Sequence, residues 1–499
     1  MNSSSIEHVD VLIIGAGISG IGAARYLRTM QPGKTFAILE ARDEIGGTWD
    51  LFRYPGIRSD SDLHTFSYEF KAWENEKAIA SADAIMAYLR ETVAENGIQK
   101  AIRFQHKVIS AGWSTKDARW LVEIQRLDTG EHLAMSCGWF FCASGYYRYD
   151  EGYTPEFPGR ERFAGQIVHP QLWPDDLDYR GKRVVIIGSG ATAVTLVPAM
   201  AETAGHVTML QRSPTYIVPV PSEDRIANTL PKLIGRDRAY AVTRRKNIAK
   251  QRLIWQFCQQ HPRAARRLIR HLNAKQLPKG YPVDEHFRPA YNPWDQRLCA
   301  VPDADMFKAI RDGRASVVTD QIDTFTEWGI RLQSGRELEA DIIVTATGLS
   351  LLAFGGISLS ADGVPVDVSE KVAFKGFLLS DVPNFVYMFG YTNSSWTLKV
   401  GLVCEHFCRL LAYMDAHGHS VCYPKMSGPM ETRPLLEVTA GYVKRAAGQF
   451  PHQGVEGPWR TCMDYRADYK TLREGPVEDE HLRFATSSPV DAPEPALAG

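Results

Sequence analysis

Val9–Gly20 reads VDVLIIGAGISG. The first six residues form a short apolar run of buried-strand type, leading into Gly15-Ala-Gly17-Ile-Ser19-Gly20, and a helical pattern follows through Met30. Strand, G-x-G-x-x-G and helix open a dinucleotide-binding unit. Gly15 permits the tight turn, Gly17 lets backbone approach a pyrophosphate, and Gly20 lets the helix pack on the strand. The free N–H groups and positive dipole end of the helix then face the anion. The next strand, FAILE, ends at Glu40, twenty residues past Gly20. A carboxylate there accepts hydrogen bonds from both ribose hydroxyls and repels a 2′-phosphate, so the site suits FAD or NAD.

A second such unit begins at Arg183–Ile187 (RVVII). Gly188-Ser189-Gly190-Ala191-Thr192-Ala193 follows, then Val194 and a helix to about Ala201. The next strand, HVTML, ends not in an acid but in Gln211-Arg212-Ser213. By itself Arg212 is an ordinary strand-end arginine. At this spacing after a glycine loop, its guanidinium can fork onto a 2′-phosphate while Ser213 donates to it, which favours NADPH. Two sites of opposite ribose chemistry imply hydride transfer from NADPH to FAD. The expected fold class is α/β, with two Rossmann-like domains and a helical insertion.

The bulk numbers agree with a globular enzyme. At 499 residues the chain has room for about three domains at roughly 150 residues each. A net charge of −1 gives no argument for nucleic-acid binding. The eight cysteines include no C-x-x-C pair, and no residue pattern calls for a metal. Scattered thiols suit a reducing cytoplasm. The N-terminus, MNSSSIEHVD, lacks the basic start of a signal peptide. No apolar run reaches the roughly 18 residues of a membrane span.

Lys232–Lys279 is helical in pattern and holds fourteen Lys/Arg with only Asp237 acidic. Leu253, Ile254, Trp255, Phe257, Leu268, Ile269 and Leu272 give it apolar stripes. Two readings stay open. Its apolar face packs on the nucleotide domains with a solvated basic face, or the segment makes peripheral contact with a membrane surface.

These residues resemble the class B flavin monooxygenases, and within them the Baeyer–Villiger type. Beyond the two loops, Gly46-Gly47-Thr48-Trp49-DLFR-Tyr54-Pro55-Gly56-IRS-Asp60 fits the family's [AG]-G-x-W-x4-[FY]-P-[GM]-x3-D. Phe163–Pro174 (FAGQIVHPQLWP) fits F-x-G-x-x-x-H-x-x-x-W-[PD] at Phe163, Gly165, His169, Trp173 and Pro174. Stretches such as SDSDLHTFSYEF, PWDQRLC and FGYTNSSWTLK look closest to the mycobacterial branch that activates thioamide drugs.

The resemblance implies FAD against Gly15, Gly17, Ser19, Gly20, Glu40, Thr48, Trp49, Asp50, Leu51, Asp60 and the backbone of Val108. It puts Arg58, Ser59 and Asp60 where flavin and nicotinamide meet. NADPH falls to Gly188, Ser189, Gly190, Ala191, Thr192, Ala193 and Val194, with Arg212 and Ser213. Arg297 matches the family's active-site arginine. A guanidinium stays protonated at any working pH, so it can stabilise a flavin C4a-peroxyanion but cannot act as base. Asp60 would pair with Arg297 and aim it. His169 and Trp173 go to coupling NADPH binding with domain position, since a lone histidine beside prolines is more often an orienting group than a proton carrier. Trp396 would line the substrate pocket. Where many relatives carry lysine before the arginine, this chain has Gln296, which weakens the phosphate clamp.

The expected division is an FAD domain over 1–146 and 349–485, an NADPH domain over 147–221 and 292–348, a helical insertion over 222–291, and a disordered tail over 486–499. The implied activity inserts one oxygen from O2 into ketones, giving esters or lactones, with sulfides and thioamides as further targets. The rivals are an N- or S-oxygenase that makes no esters, a disulfide reductase, which would need a cysteine pair beside the flavin, and a non-catalytic dinucleotide-binding protein.

Overall fold

The first glycine loop leaves the middle of a nine-stranded mixed sheet in the computed structural model, which describes residues 6–296, 298–437 and 440–486. Arg297 and the expected tail beyond residue 486 lie outside the described residues. Strand Glu7–Ile14 runs parallel to both its neighbours, Phe36–Leu39 and His132–Cys142. Val11 and Ile13 enter one core with Tyr26, Leu27 and Phe407, whereas Leu12 and Ile14 enter another with Val122, Phe140 and Phe385. Burial on both faces explains why the strand is almost continuously apolar. Strands His106–Ser114 and Arg119–Arg126 extend the sheet in antiparallel fashion. Ser358–Ala361 and Phe385–Tyr387, from far along the chain, join it, and the short strands Ile102–Arg103 and Val364–Pro365 form its two ends.

The second glycine loop rises from a separate sheet of five parallel strands. Their order is Ala315–Thr319, His206–Gln211, Arg183–Ile187, Ile342–Thr345, Gln166–Val168. The same alternation sends Val184 and Ile186 to the helix Ala191–Met200 and Val185 and Ile187 to Leu210 and Phe325. Gln166–Val168 lies inside the Phe163–Pro174 string, so a stretch that reads as linker also supplies an edge strand. The chain leaves the first sheet through Tyr147–Gly152 and returns through Leu349–Leu351. These two pair with each other, so the crossings form one two-stranded ribbon.

The basic segment is helical, with Arg236–Gln260 and Pro262–Gln276 as its main helices. The apolar stripe divides: Ile269 of the second helix is buried as the apolar-face expectation has it, but the long first helix packs mainly through polar residues. Leu253, Ile254, Phe257 and Leu268 are exposed, while Thr243, Arg244 and Asn247 are buried. The reason is the polarity of the surface beneath. Arg244 donates to the carbonyls of His64, Thr65 and Ser67, Lys246 pairs with Asp224, and Arg252 pairs with Asp464. Arg270 pairs with Asp284 within the segment's own fold. Several basic residues that suggest a solvated face are therefore docking contacts. Among the described residues, no helix is long and apolar enough to cross a membrane.

Helix Trp396–Ala416 lies against the first glycine helix and buries His406, whose Nδ1 is 2.8 Å from the Leu472 carbonyl. Burial pushes the imidazole pKa down to about 4, against the carbonyl contact and with help from Lys375 and Arg409. The unfolded chain takes up this proton near pH ~6.5. Stability from this group is therefore complete above that pH and is lost as pH falls towards 4, by about 3 kcal/mol. Urea unfolding of the parent and His406→Gln at pH 7 and pH 4.5 should show a flatter pH dependence in the variant. Equal slopes would refute the assignment.

Candidate functional site

The first loop is closed where backbone must pass and open where a ligand would sit. A Cβ on Gly15 (φ +102°) would lie 2.8 Å from the Ala143 carbonyl oxygen, and one on Gly20 would lie 1.9 Å from that of Gly15. At Gly17 the nearest atom is 3.8 Å away, on Gly47. The helix Ile18–Met30 begins there with no side-chain cap, so its first N–H groups remain available. Glu40 is buried just past its strand. One carboxylate oxygen accepts the Ala16 N–H at 2.8 Å and the other accepts the Arg42 N–H at 3.0 Å. Burial raises its pKa while these amides oppose the shift. Each oxygen keeps a second lone pair for a ribose hydroxyl. The Glu40 carbonyl accepts the His106 N–H at 2.9 Å, which brings the strand carrying Val108 alongside.

The Gly46–Asp60 stretch joins the two loops. At one end, the Gly46 N–H donates to the Ala16 carbonyl at 2.9 Å, and Thr48–Leu51 forms a single helical turn beside the first loop. Trp49 meets Phe66 edge to face, and buried Asp50 pairs with Arg42. The Tyr149 hydroxyl is 3.4 Å from Thr48 Oγ1. At the other end, Phe52 and Tyr54 enter the core of the second unit with Ala193, Val194 and Val197. A Cβ on Gly56 (φ +76°) would lie 2.7 Å from that of Ala199. Arg58 then pairs with Asp305, and Ser59 is pinned by the Ala80 carbonyl at 2.9 Å. Asp60 is exposed and accepts the Ser61 hydroxyl at 3.4 Å.

The second loop repeats the pattern. A Cβ on Gly188 (φ +137°) would lie 2.3 Å from the Ala346 carbonyl oxygen, whereas nothing lies within 4 Å of one on Gly190. The helix starting at Ala191 again lacks a side-chain cap. Ser189 donates to the Ser213 carbonyl at 3.2 Å, drawing the loop to the end of the next strand. Arg212 and Ser213 are exposed there.

His169 sits at the crossing ribbon. Its Nδ1 accepts the Gln171 N–H and its Nε2 donates to the Gly348 carbonyl, both at 3.2 Å. A Cβ on Gly152 would fall 1.9 Å from the ring. Burial lowers the imidazole pKa. A neutral ring with both nitrogens on backbone acts as a bracket between outgoing and returning chain. Trp173 packs on the core of the second unit, and Phe163 lies 6.5 Å from Phe325, ring to ring. A Cβ on Gly165 would lie 2.4 Å from the Asp341 carbonyl oxygen. Pro174 ends the string with its carbonyl accepting the Leu177 N–H.

Trp396, expected in the pocket wall, is found with its Nε1 donating to Ser19 Oγ at 2.8 Å. The residues around Arg297 are ordered by pairing: Cys299–Pro302 runs parallel to Ile217–Val220. Sequence reading missed the polar side of the long insertion helix. The available signal was Thr243, Arg244, Asn247 and Gln251, spaced to share one helix face. Among the described residues, no group of three or more His, Cys, Asp or Glu side chains could hold a metal ion.

A family model described as flavin-binding monooxygenase-like matches residues 8–354. The chain is 53% identical over 481 residues to the FAD-containing monooxygenase EthA of Mycobacterium tuberculosis (strain ATCC 25618 / H37Rv), covering 96% of this chain and 98% of that one. It is 48% identical over 481 residues to the probable FAD-binding monooxygenase AlmA of Acinetobacter baylyi, covering 96% of each. The fold matches that of an oxidised steroid monooxygenase bound to NADP, with a TM-score of 0.75 and 22% identity over 96% of this chain and 100% of that one. With most of its length matched and these identities, the chain belongs to the flavin-binding monooxygenase-like family.

Proposed function

We propose that this chain is an FAD-dependent, NADPH-consuming monooxygenase of Baeyer–Villiger type, which inserts one oxygen from O2 beside a ketone carbonyl to give an ester or lactone. The observation that carries the reading is the Gly46–Asp60 stretch, which touches the first glycine loop at Gly46 and the second glycine helix at Gly56. Two cofactors seated on those loops would share one connecting wall.

FAD, when bound, supplies oxygen activation, with NADPH as the hydride source. Glu40 takes the FAD ribose, and Gly17 with the uncapped helix start takes its pyrophosphate. Gly190 and its helix do the same for NADPH, and Arg212 with Ser213 selects the 2′-phosphate. Arg297 holds a permanent positive charge against the oxygen that becomes anionic during insertion, and Asp60 orients it. His169 and Trp173 set the position of the second unit relative to the first.

The test is a panel of simple ketones and sulfides incubated with NADPH and 18O2, with products identified by mass and connectivity. We expect esters or lactones carrying one labelled atom, alongside sulfoxides. Sulfoxides or N-oxides without any ester would instead identify an oxygenase of the same family lacking ketone insertion.

A further inference from the structure

The reading above leaves the helical insertion without a role in the chemistry, yet the insertion grips the segment that follows Asp60. Asp62 caps the short helix Leu63–Phe66, accepting the Thr65 N–H at 3.1 Å and the Thr65 hydroxyl at 2.8 Å. Both carboxylate oxygens of Asp62 also accept from the insertion: Asn247 Nδ2 at 2.9 Å and Gln251 Nε2 at 2.6 Å. Gln251 Nε2 donates as well to Thr65 Oγ1 at 2.9 Å. Its Oε1 accepts the Ser394 hydroxyl at 2.7 Å. Ser394 stands two residues before Trp396, which reaches Ser19 on the first glycine loop. Next to it, Ser395 Oγ lies 2.6 Å from Thr65 Oγ1.

One amide therefore ties three segments: the insertion helix, the residues directly after Asp60, and the start of helix Trp396–Ala416. An amide suits the place because one end donates to a carboxylate while the other accepts from a hydroxyl. A carboxylate would repel Asp62, and an apolar side chain would leave Asp62 and Ser394 each short of a partner.

We propose that Gln251 is a positioning residue for oxygenation. It fixes the Arg58–Asp62 segment against the start of helix Trp396–Ala416, and so makes the helical insertion part of the frame of the reaction centre. The inference rests on the reading that Asp60 stands at that centre. A loosened segment would still permit FAD binding and reduction by NADPH. It would fail later, when reduced enzyme has consumed O2, and the reducing equivalents would emerge as hydrogen peroxide: NADPH + H+ + O2 → NADP+ + H2O2.

The experiment compares the FAD-loaded parent with Gln251→Leu, Ser394→Ala, the double variant and Asp60→Ala. It measures product and peroxide per NADPH consumed, and amide hydrogen exchange over residues 57–66 as a readout independent of activity. Gln251→Leu should retain FAD and its rate of reduction. Its product per NADPH should fall at least about threefold, with peroxide rising to match and exchange over 57–66 accelerating. Ser394→Ala, which removes one bond and leaves the helix docked, should shift both readouts the same way by less. The double variant should be no worse than Gln251→Leu alone, because the two share that bond. Parent-like coupling and exchange in Gln251→Leu, with Asp60→Ala uncoupled, overturns the inference alone. Additive losses in the double variant overturn it too. Full coupling in Asp60→Ala instead overturns the reading of the centre. Should Gln251→Leu fail to hold FAD, Ser394→Ala decides by the same two readouts.

Discussion

Arg297→Ala should keep FAD bound and keep its reduction by NADPH at the parent rate, yet form ester at about one thousandth of the parent rate. The magnitude follows from the type of interaction removed. Deleting one neutral donor to a developing oxyanion costs about 10²–10³ in rate, and a permanently charged guanidinium in a water-poor site contributes at least as much. A thousandfold loss corresponds to about 4 kcal/mol of barrier. Arg297→Lys should recover only a small part, since an ammonium keeps the charge and loses the planar fork. Single-turnover mixing resolves the steps: flavin bleaching under anaerobic NADPH reports reduction, and product quenched after oxygen addition reports insertion. Normal ester yield from Arg297→Ala would remove this arginine from the mechanism. Loss of flavin reduction instead would move it to the nicotinamide site.

The nucleotide units were legible in the sequence because their chemistry is local. Gly15, Gly20 and Gly188 are constrained by atoms within a few residues of their loop or just past the adjacent strand, whereas Gly17 and Gly190 are the positions left open. Burial of both sheet faces left its mark in VDVLII and RVVII. The joining role of Gly46–Asp60 emerged only in the fold, because nothing in that stretch announces that Gly56 must meet Ala199. The long insertion helix Arg236–Gln260 was misread for a physical reason. Composition counts Arg244 and Lys246 as solvated charge, and only the fold shows that the facing surface consists of the His64–Ser67 carbonyls and Asp224. Polar docking leaves no apolar periodicity to read. The exposure of Leu253 at 63% shows that apolar periodicity can even point away from the interface. His169 shows the limit on the other side, since its backbone partners at Gln171 and Gly348 are set by a chain crossing that the motif does not spell out.

Arg212→Ala should raise the KM for NADPH by about 30-fold while changing that for NADH less than about twofold. A charge-assisted, forked contact to phosphate contributes about 2 kcal/mol at a partly exposed site, and 1.4 kcal/mol is a factor of ten. The effect is selective because NADH lacks the 2′-phosphate, so it has nothing there to lose. Gln296 sharpens the expectation. An amide offers a hydrogen bond but no charge, so Arg212 carries more of the phosphate recognition here than it would beside a lysine. Gln296→Lys should accordingly lower the KM for NADPH a few-fold, and in the Arg212→Ala background it should restore part of the lost selectivity. Raising ionic strength should weaken NADPH binding in the parent and leave Arg212→Ala nearly unaffected, because the screened attraction is then already missing. Steady-state oxidation of both nucleotides at two salt concentrations measures all of this. Equal loss for NADPH and NADH would take Arg212 out of the phosphate site, and the cofactor preference would then have to reside in Ser213 and the loop backbone.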